Sequence, residues 1–208
     1  MPDIDQPIPL PVTRGPVEHE RREQIVAAAC EHFAAHGYGK TSVAELAKSI
    51  GVSSAYVYRF FDSKQSIGEA VCSLKLARIA QRLFDLEGER RTPTEKLRRF
   101  YGVLLESGYE LFIEQRHMHE LVAGAVSQNW VAVANHRKAI RAVLRGIVVD
   151  GRERGEFECE TPLDEVVLAL GQAAVPFAHP ALLAQHELKE LRKSAAAVAG
   201  LVVRSLAP

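Results

Sequence analysis

The stretch Thr41–Lys64, TSVAELAKSIGVSSAYVYRFFDSK, decides the reading of the chain. Val43, Leu46, Ala47 and Ile50 recur at helical spacing, which predicts a short helix with one buried face. Thr41 or Ser42 precedes that run, and Glu45 stands three residues after Ser42, the spacing of a capping box. Gly51 follows where a helix end commonly needs a residue that accepts positive φ. Ser53 is placed to cap a second helix carrying Ser54, Ala55, Tyr56, Val57, Tyr58, Arg59, Phe60 and Phe61. Helix, glycine turn and second helix within about 20 residues is the helix-turn-helix pattern, whose second helix enters the DNA major groove by its N-terminus.

That second helix divides into two faces. Val57 and Phe61, four apart, suit a core. Ser54, Ala55 and Tyr56 lie at its start, where small residues let the backbone approach base edges and hydroxyls can bond to base or phosphate. Tyr58 and Lys64 are placed to hold the DNA backbone, one as a neutral donor and one as a point charge. An ordinary hairpin in a helical protein has the same spacing, so spacing alone leaves both readings open.

Longer motifs separate them. A leading helix ends in Phe33, His36, Gly37 and Tyr38, followed by Thr41-Ser42-Val43 and Leu46-Ala47. Then come Gly51-Val52-Ser53, Tyr58, Phe61 and Ser63-Lys64. From Glu18 to Ala70, about a quarter of the chain, this order resembles the DNA-binding signature of the TetR family of bacterial transcriptional regulators. The resemblance implies an all-α protein that is not an enzyme. It would carry a three-helix DNA-binding domain over 17–64 and a larger effector-binding and dimerisation domain over 65–208. Lys40, Thr41, Ser42, Ser53, Ser54, Ala55, Tyr56, Tyr58, Arg59, Phe60 and Lys64 are the expected DNA-contacting set. One departure stands out: the family often has glycine and a small residue where this chain has Ala55-Tyr56. A bulky Tyr56 at a base-reading position leaves the operator sequence open, and Tyr56→Ala is expected to change base preference.

The composition is that of a globular chain. Its 208 residues can bury a sizeable core, with 47% hydrophobic and 25% charged residues. Formal net charge is zero, unlike a protein that coats nucleic acid indiscriminately. A small reading head needs only local charge, which Arg14, Arg21, Arg22, Lys40, Arg59 and Lys64 supply. Cys30, Cys72 and Cys159 are odd in number and form no paired motif, which indicates a reducing, cytoplasmic setting. No apolar run reaches the roughly 18 residues that span a bilayer, so no membrane partner is expected. Residues 1–16 are proline-rich, lack the pattern of a secretory signal and read as a mobile arm.

Further along, a first helix is expected from Pro16 or Val17 to His36, with Ile25, Ala29 and Phe33 stacked on one side. His32 and His36 have metal-binding spacing, but no cysteine or carboxylate joins them, so they read as surface histidines. A long helix after Lys64 runs to about Glu87, with Ile67, Val71, Leu74 and Ile79 as core positions. Thr92-Pro93-Thr94 starts the next, whose apolar residues run from Leu97 to Ile113 on all sides and place it centrally. Helices follow over Met118–Gln128 and Val131–Glu153, the latter ended by Gly151 and Gly155. No sustained period-two alternation predicts a strand.

The body carries two further expectations. Tyr101, Leu105, Tyr109, Phe112, His117, Gln128 and Trp130 form the candidate lining of an effector pocket, although aromatics at this density suit a helical core equally. Pro162–Phe177 is apolar and rich in small residues, Pro176 and Pro180 bracket a bend, and His186–Leu206 forms a last helix. By resemblance these two helices form a four-helix bundle between two copies, through Leu168, Gln172, Val175, Leu191, Ala195, Val198 and Val202. Burial of the two helices against each other within one copy is the alternative. No nucleophile elbow, phosphate loop or HExxH motif supports an enzyme, and neither a cofactor nor a metal is expected. A helical adaptor using the same hairpin would differ in showing no salt-dependent DNA affinity. The expected partners are double-stranded operator DNA, a second copy of the chain and a small-molecule effector. The expected function is that of a homodimeric, ligand-responsive repressor on a palindromic operator.

Overall fold

The computed structural model describes residues 16–114 and 116–208, and every regular element among them is helical. Apart from Pro16, the N-terminal arm and its Arg14 lie outside the described residues.

Helices α1 (Pro16–His36), α2 (Val43–Ser49) and α3 (Ser54–Tyr58) build a small head. Ile25, Ala29 and Phe33 of α1 are buried against Val43, Leu46, Ala47, Val57 and Phe61. Short helices are marginal alone, so their ends carry much of the local specification. Glu45 N–H donates to Ser42 Oγ at 3.2 Å while Ser42 N–H donates to a Glu45 carboxylate oxygen at 2.7 Å, closing the capping box at the start of α2. Gly51 sits at φ +70° between α2 and α3, a backbone state that a Cβ disfavours. Tyr56 N–H donates to Ser53 Oγ at 3.1 Å and fixes the start of α3.

Helix α4 (Lys64–Gly88) leaves the head and enters the body. Its buried side is Ile67, Val71, Cys72, Leu76, Ile79, Leu83 and Leu86. Leu74, expected in the core, is exposed, because the buried positions advance by three and four and leave it on the other side.

The body is organised around α5 (Pro93–Tyr109), started by a Thr92–Glu95 capping box and Pro93. Leu97, Phe100, Tyr101, Leu104 and Leu105 of α5 are all buried. A single helix through Ile113 was expected, but α5 gives way to a wider π turn over Glu110–Glu114. Beyond it run α6 (Arg116–Ser127) and α7 (Val131–Glu153). The apolar stretch after Pro162 is three pieces, α8 (Leu163–Ala173), α9 (Val175–Ala178) and α10 (Pro180–Leu183), because prolines at 176 and 180 restart the helix. The last helix, α11 (Leu188–Ser205), begins two residues after the expected His186. Helices α4, α7, α9, α10 and α11 surround α5.

Polar ties hold this arrangement in register. Buried Lys96 donates to the Glu87 carbonyl at 2.9 Å and approaches Asp150 at 3.5 Å, linking α4, α5 and α7. Arg192 of α11 makes a two-pronged pair with Glu106 of α5 at 2.6 and 2.8 Å. Gly151 lies inside α7 rather than ending it, and its missing Cβ makes room for the Phe157 ring.

Candidate nucleic-acid interface and body cavity

On α3, Val57 points fully inward, while Ala55, Tyr58 and Arg59 are exposed and Ser54 is half-buried. Tyr58 keeps half its surface open, an unusual exposure for an aromatic ring in a small head. Lys40, Ser42 and Ser53 are exposed at the turns before α2 and α3. Lys64 Nζ donates to the Gly39 carbonyl at 3.3 Å and stands 4.6 Å from the Tyr38 ring centroid, which steadies its charge at the start of α4. These residues offer cations, hydroxyls and a small-residue approach, the chemistry that phosphates and groove edges require.

Two expected contacts belong to the core instead. Thr41 is buried and its hydroxyl donates to the Gly37 carbonyl at 2.8 Å, bracing the turn after α1. Phe60 is buried because it follows α3, where the chain turns back toward the core. Tyr56 is half-buried, its ring 5.3 Å from that of Phe60, with the Arg59 guanidinium 5.6 Å from its centroid. Truncating Tyr56 therefore removes packing as well as any contact to a base.

The head rests on the body through one aromatic joint. The Tyr38 ring meets Phe33 at 5.2 Å and Trp130 at 6.1 Å, both edge to face. Gly68 of α4 lies beneath them, and a Cβ there would come within 2.9 Å of Tyr38 and 3.1 Å of Trp130. Burial raises the pKa of Tyr38, with the Glu69 charge adding to the effect. His117 Nδ1 of α6 lies 2.7 Å from the Ala34 carbonyl of α1, a second tie between head and body.

A cavity of about 280 Å³ opens in the body between α4, α6, α7, α8 and α9. Leu76, Phe112, Val122, Val126, Val133 and Ile140 supply apolar walls, and His136, Arg137, Arg141, Gln172 and His179 supply the polar groups. His136 is largely buried; burial, with some repulsion from Arg137 and against its bond to the Leu76 carbonyl, pulls its pKa down to about 4. It is therefore neutral at pH 7.

Of the expected pocket residues, only Phe112 lines this cavity. Tyr101 is fully buried, donates to the Leu170 carbonyl at 3.2 Å and packs on Phe100 and Phe177; burial pushes its pKa up. Leu105 is also core, because α5 is enclosed by its neighbours. Trp130 is buried at the joint and donates to Gln128 Oε1 at 3.1 Å, which occupies Gln128 on the surface. His117 is turned to α1, and Tyr109 lines a separate open groove with Leu183 and His186. The sequence did carry one signal for this cavity: His136 falls between Val133 and Ile140 on the inward face of α7.

The expected dimer residues also divide. Leu168, Gln172 and Val175 are exposed and border the cavity, and Val198 and Val202 are half-buried. Leu191 and Ala195 are inside the protomer, because α11 turns the stripe Leu191, Ala195, Ala199 and Val203 onto α5. Leu201, 62% exposed, lies on the outer side of that helix.

Burial raises the Cys72 thiol pKa to about 12, with the nearby Glu69 charge adding to it, whereas Cys159 is exposed. Among the described residues no group of three or more His, Cys, Asp or Glu side chains is placed to hold a metal, and no helix is long and apolar enough to cross a membrane.

A helix-turn-helix head joined to a helical body with an internal cavity defines a class of DNA-binding transcriptional regulators. The family described as "Tetracyclin repressor-like, C-terminal domain" matches residues 93–199, over half the chain, and "Bacterial regulatory proteins, tetR family" matches residues 25–71. The chain belongs to the TetR family, whose members are regulators and not enzymes. It is 36% identical over 56 residues to the HTH-type transcriptional regulator HbdR of Aromatoleum sp. (strain CIB), a match spanning 27% of this chain and 24% of that one. The chain thus matches about a quarter of that relative's length.

Solved structures agree in fold. A transcriptional regulator from Cytophaga hutchinsonii ATCC 33406 superposes with a TM-score of 0.71 at 19% identity, covering 90% of this chain and 99% of that one. PfmR from Thermus thermophilus gives 0.58 at 23% identity, with 87% and 97% covered. FadR from Bacillus subtilis, solved in complex with stearoyl-CoA, gives 0.61 at 20% identity, with 87% and 97% covered.

Proposed function

We propose that this TetR-family regulator is a ligand-responsive repressor that binds a palindromic operator as a homodimer and leaves it when a small molecule fills the body cavity. In this reading residues 17–64 read DNA, and 65–208 bind the effector and a second copy. The observation that carries it is the double engagement of α6 and α4. Val122 and Val126 of α6 wall the cavity while His117 of the same helix holds Ala34 of α1. Leu76 of α4 borders the cavity while Lys64 and Gly68 of α4 sit under the head. A ligand that spreads α6 from α4 shifts the head on its joint. Release requires only that the ligand bind the displaced state more tightly.

The dimer is supported by Leu168, Val175 and Leu201, large apolar side chains left exposed on α8, α9 and α11. A two-fold pair would set the spacing of two recognition helices on successive major grooves. A small molecule bound in the Bacillus subtilis relative of the same fold is consistent with an effector here.

Selection of bound sequences from random double-stranded DNA tests the proposal. The expected result is one palindromic site bound by a dimer, with Tyr58→Phe and Lys64→Ala weakening all sequences alike. Recovery of unrelated sequences, or binding by a monomer to a single half-site, overturns it.

A further inference from the structure

If the body cavity is the effector site, as proposed above, the chemistry of its wall specifies more than that something binds. His136 and His179 both border the cavity, and Nδ1 of each is buried with no hydrogen-bond partner. A buried polar atom without a partner is costly, so such atoms mark places that a ligand or water completes.

The remaining polar groups point to charge. Arg137 and Arg141 border the cavity one helical turn apart, are exposed, and have no hydrogen bond or ion pair to any described residue. No Asp or Glu is among the described lining residues. Two unpaired arginines at the edge of an apolar chamber fit a carboxylate or a similar planar anion.

Size narrows the class further. A volume of about 280 Å³ lies at the small end of ligand pockets, which run from roughly 300 to 1,000 Å³.

We infer that the effector is a compact amphipathic acid. Its apolar body fills the chamber walled by Val122, Val126, Val133 and Ile140, and its carboxylate pairs with Arg137 and Arg141.

Calorimetric titration of the full chain with 4-phenylbutanoate, 4-phenyl-1-butanol and 4-phenylbutylamine tests this, with release of the selected operator followed in parallel. The acid is expected to bind at least tenfold more tightly than the alcohol and far more tightly than the amine. That preference should vanish in Arg137→Gln/Arg141→Gln, whose surface positions leave the fold intact. Equal or tighter binding of the alcohol or amine, an acid preference that survives in the double variant, or no binding by any probe overturns the inference. The operator readout separates the two readings: arginine-dependent acid binding without operator release sustains the ligand class and contradicts the effector role. Operator release by the neutral alcohol does the reverse.

Discussion

The head and the body use polar residues in opposite ways. In the head they face outward or cap helices: Ser42 and Ser53 close helix starts, and Lys40, Tyr58 and Arg59 stand open to solvent. In the body the informative polar groups border a cavity, among them His136 and His179, each with a buried ring nitrogen that has no partner. The head's chemistry is thus set by neighbours three or four residues away. The body's chemistry arises only once five helices have come together. Recognition of a long, uniform DNA surface needs a protruding element, whereas a small molecule needs an enclosed one.

Four experiments would break or sharpen this contrast. Replacing a buried phenylalanine by alanine costs about 3–5 kcal/mol, so Phe33→Ala in the head and Phe100→Ala in the body should both lower the thermal midpoint strongly. If the aromatic joint makes one cooperative unit, each variant unfolds in a single transition. Two separated transitions would show that head and body melt independently.

Acid should act through the body. The unfolded chain takes up a proton on His136 near pH 6.5, which the folded protein refuses until about pH 4. Stability from this group is therefore full above pH 6.5 and declines as pH falls toward 4, by up to about 3 kcal/mol. Denaturant unfolding from pH 7 to pH 4 should show this loss, and His136→Leu should flatten it. An unchanged profile in that variant would place the acid sensitivity elsewhere.

Ser53→Ala removes the cap of α3 and should cost about 1 kcal/mol, with operator affinity falling as the recognition helix frays. The smallest effect concerns single surface charges. Arg59→Ala should leave the thermal midpoint within about 0.5 kcal/mol of the parent while reducing the salt dependence of DNA binding by about one phosphate contact. An unaltered salt slope would remove Arg59 from the interface.

The same contrast explains what was legible in the sequence. The capping box at Ser42, the helix start at Thr92-Pro93-Thr94, the positive φ of Gly51 and the inward stripe of α1 are local patterns, and the structure realises each of them. Thr41 and Phe60 were misplaced because motif spacing locates a residue along the chain without fixing its side-chain direction. The cavity was not anticipated, for a different reason. Aromatics concentrated on α5 suggested a pocket, but a helix enclosed by its neighbours spends them on filling volume. The walls of the observed cavity come from α6, α7 and α8, together with the breaks near Pro176 and Pro180, whose placement is tertiary. Leu191 and Ala195 belong to the same lesson. An apolar stripe tells that a helix buries one side, but only packing tells whether it faces its own chain or another copy.

The central claim is that the Ser54–Tyr58 hairpin helix reads operator DNA in a sequence-specific way. Mobility shift on the DNA flanking the protein's own coding region, repeated across a salt series beside an unrelated duplex, tests it most directly. The expected result is a shift at one palindromic site whose affinity falls steeply with salt and exceeds that for the unrelated duplex by at least about a thousandfold. Equal affinity for both duplexes at every salt concentration, with random-sequence selection enriching no site, would contradict it.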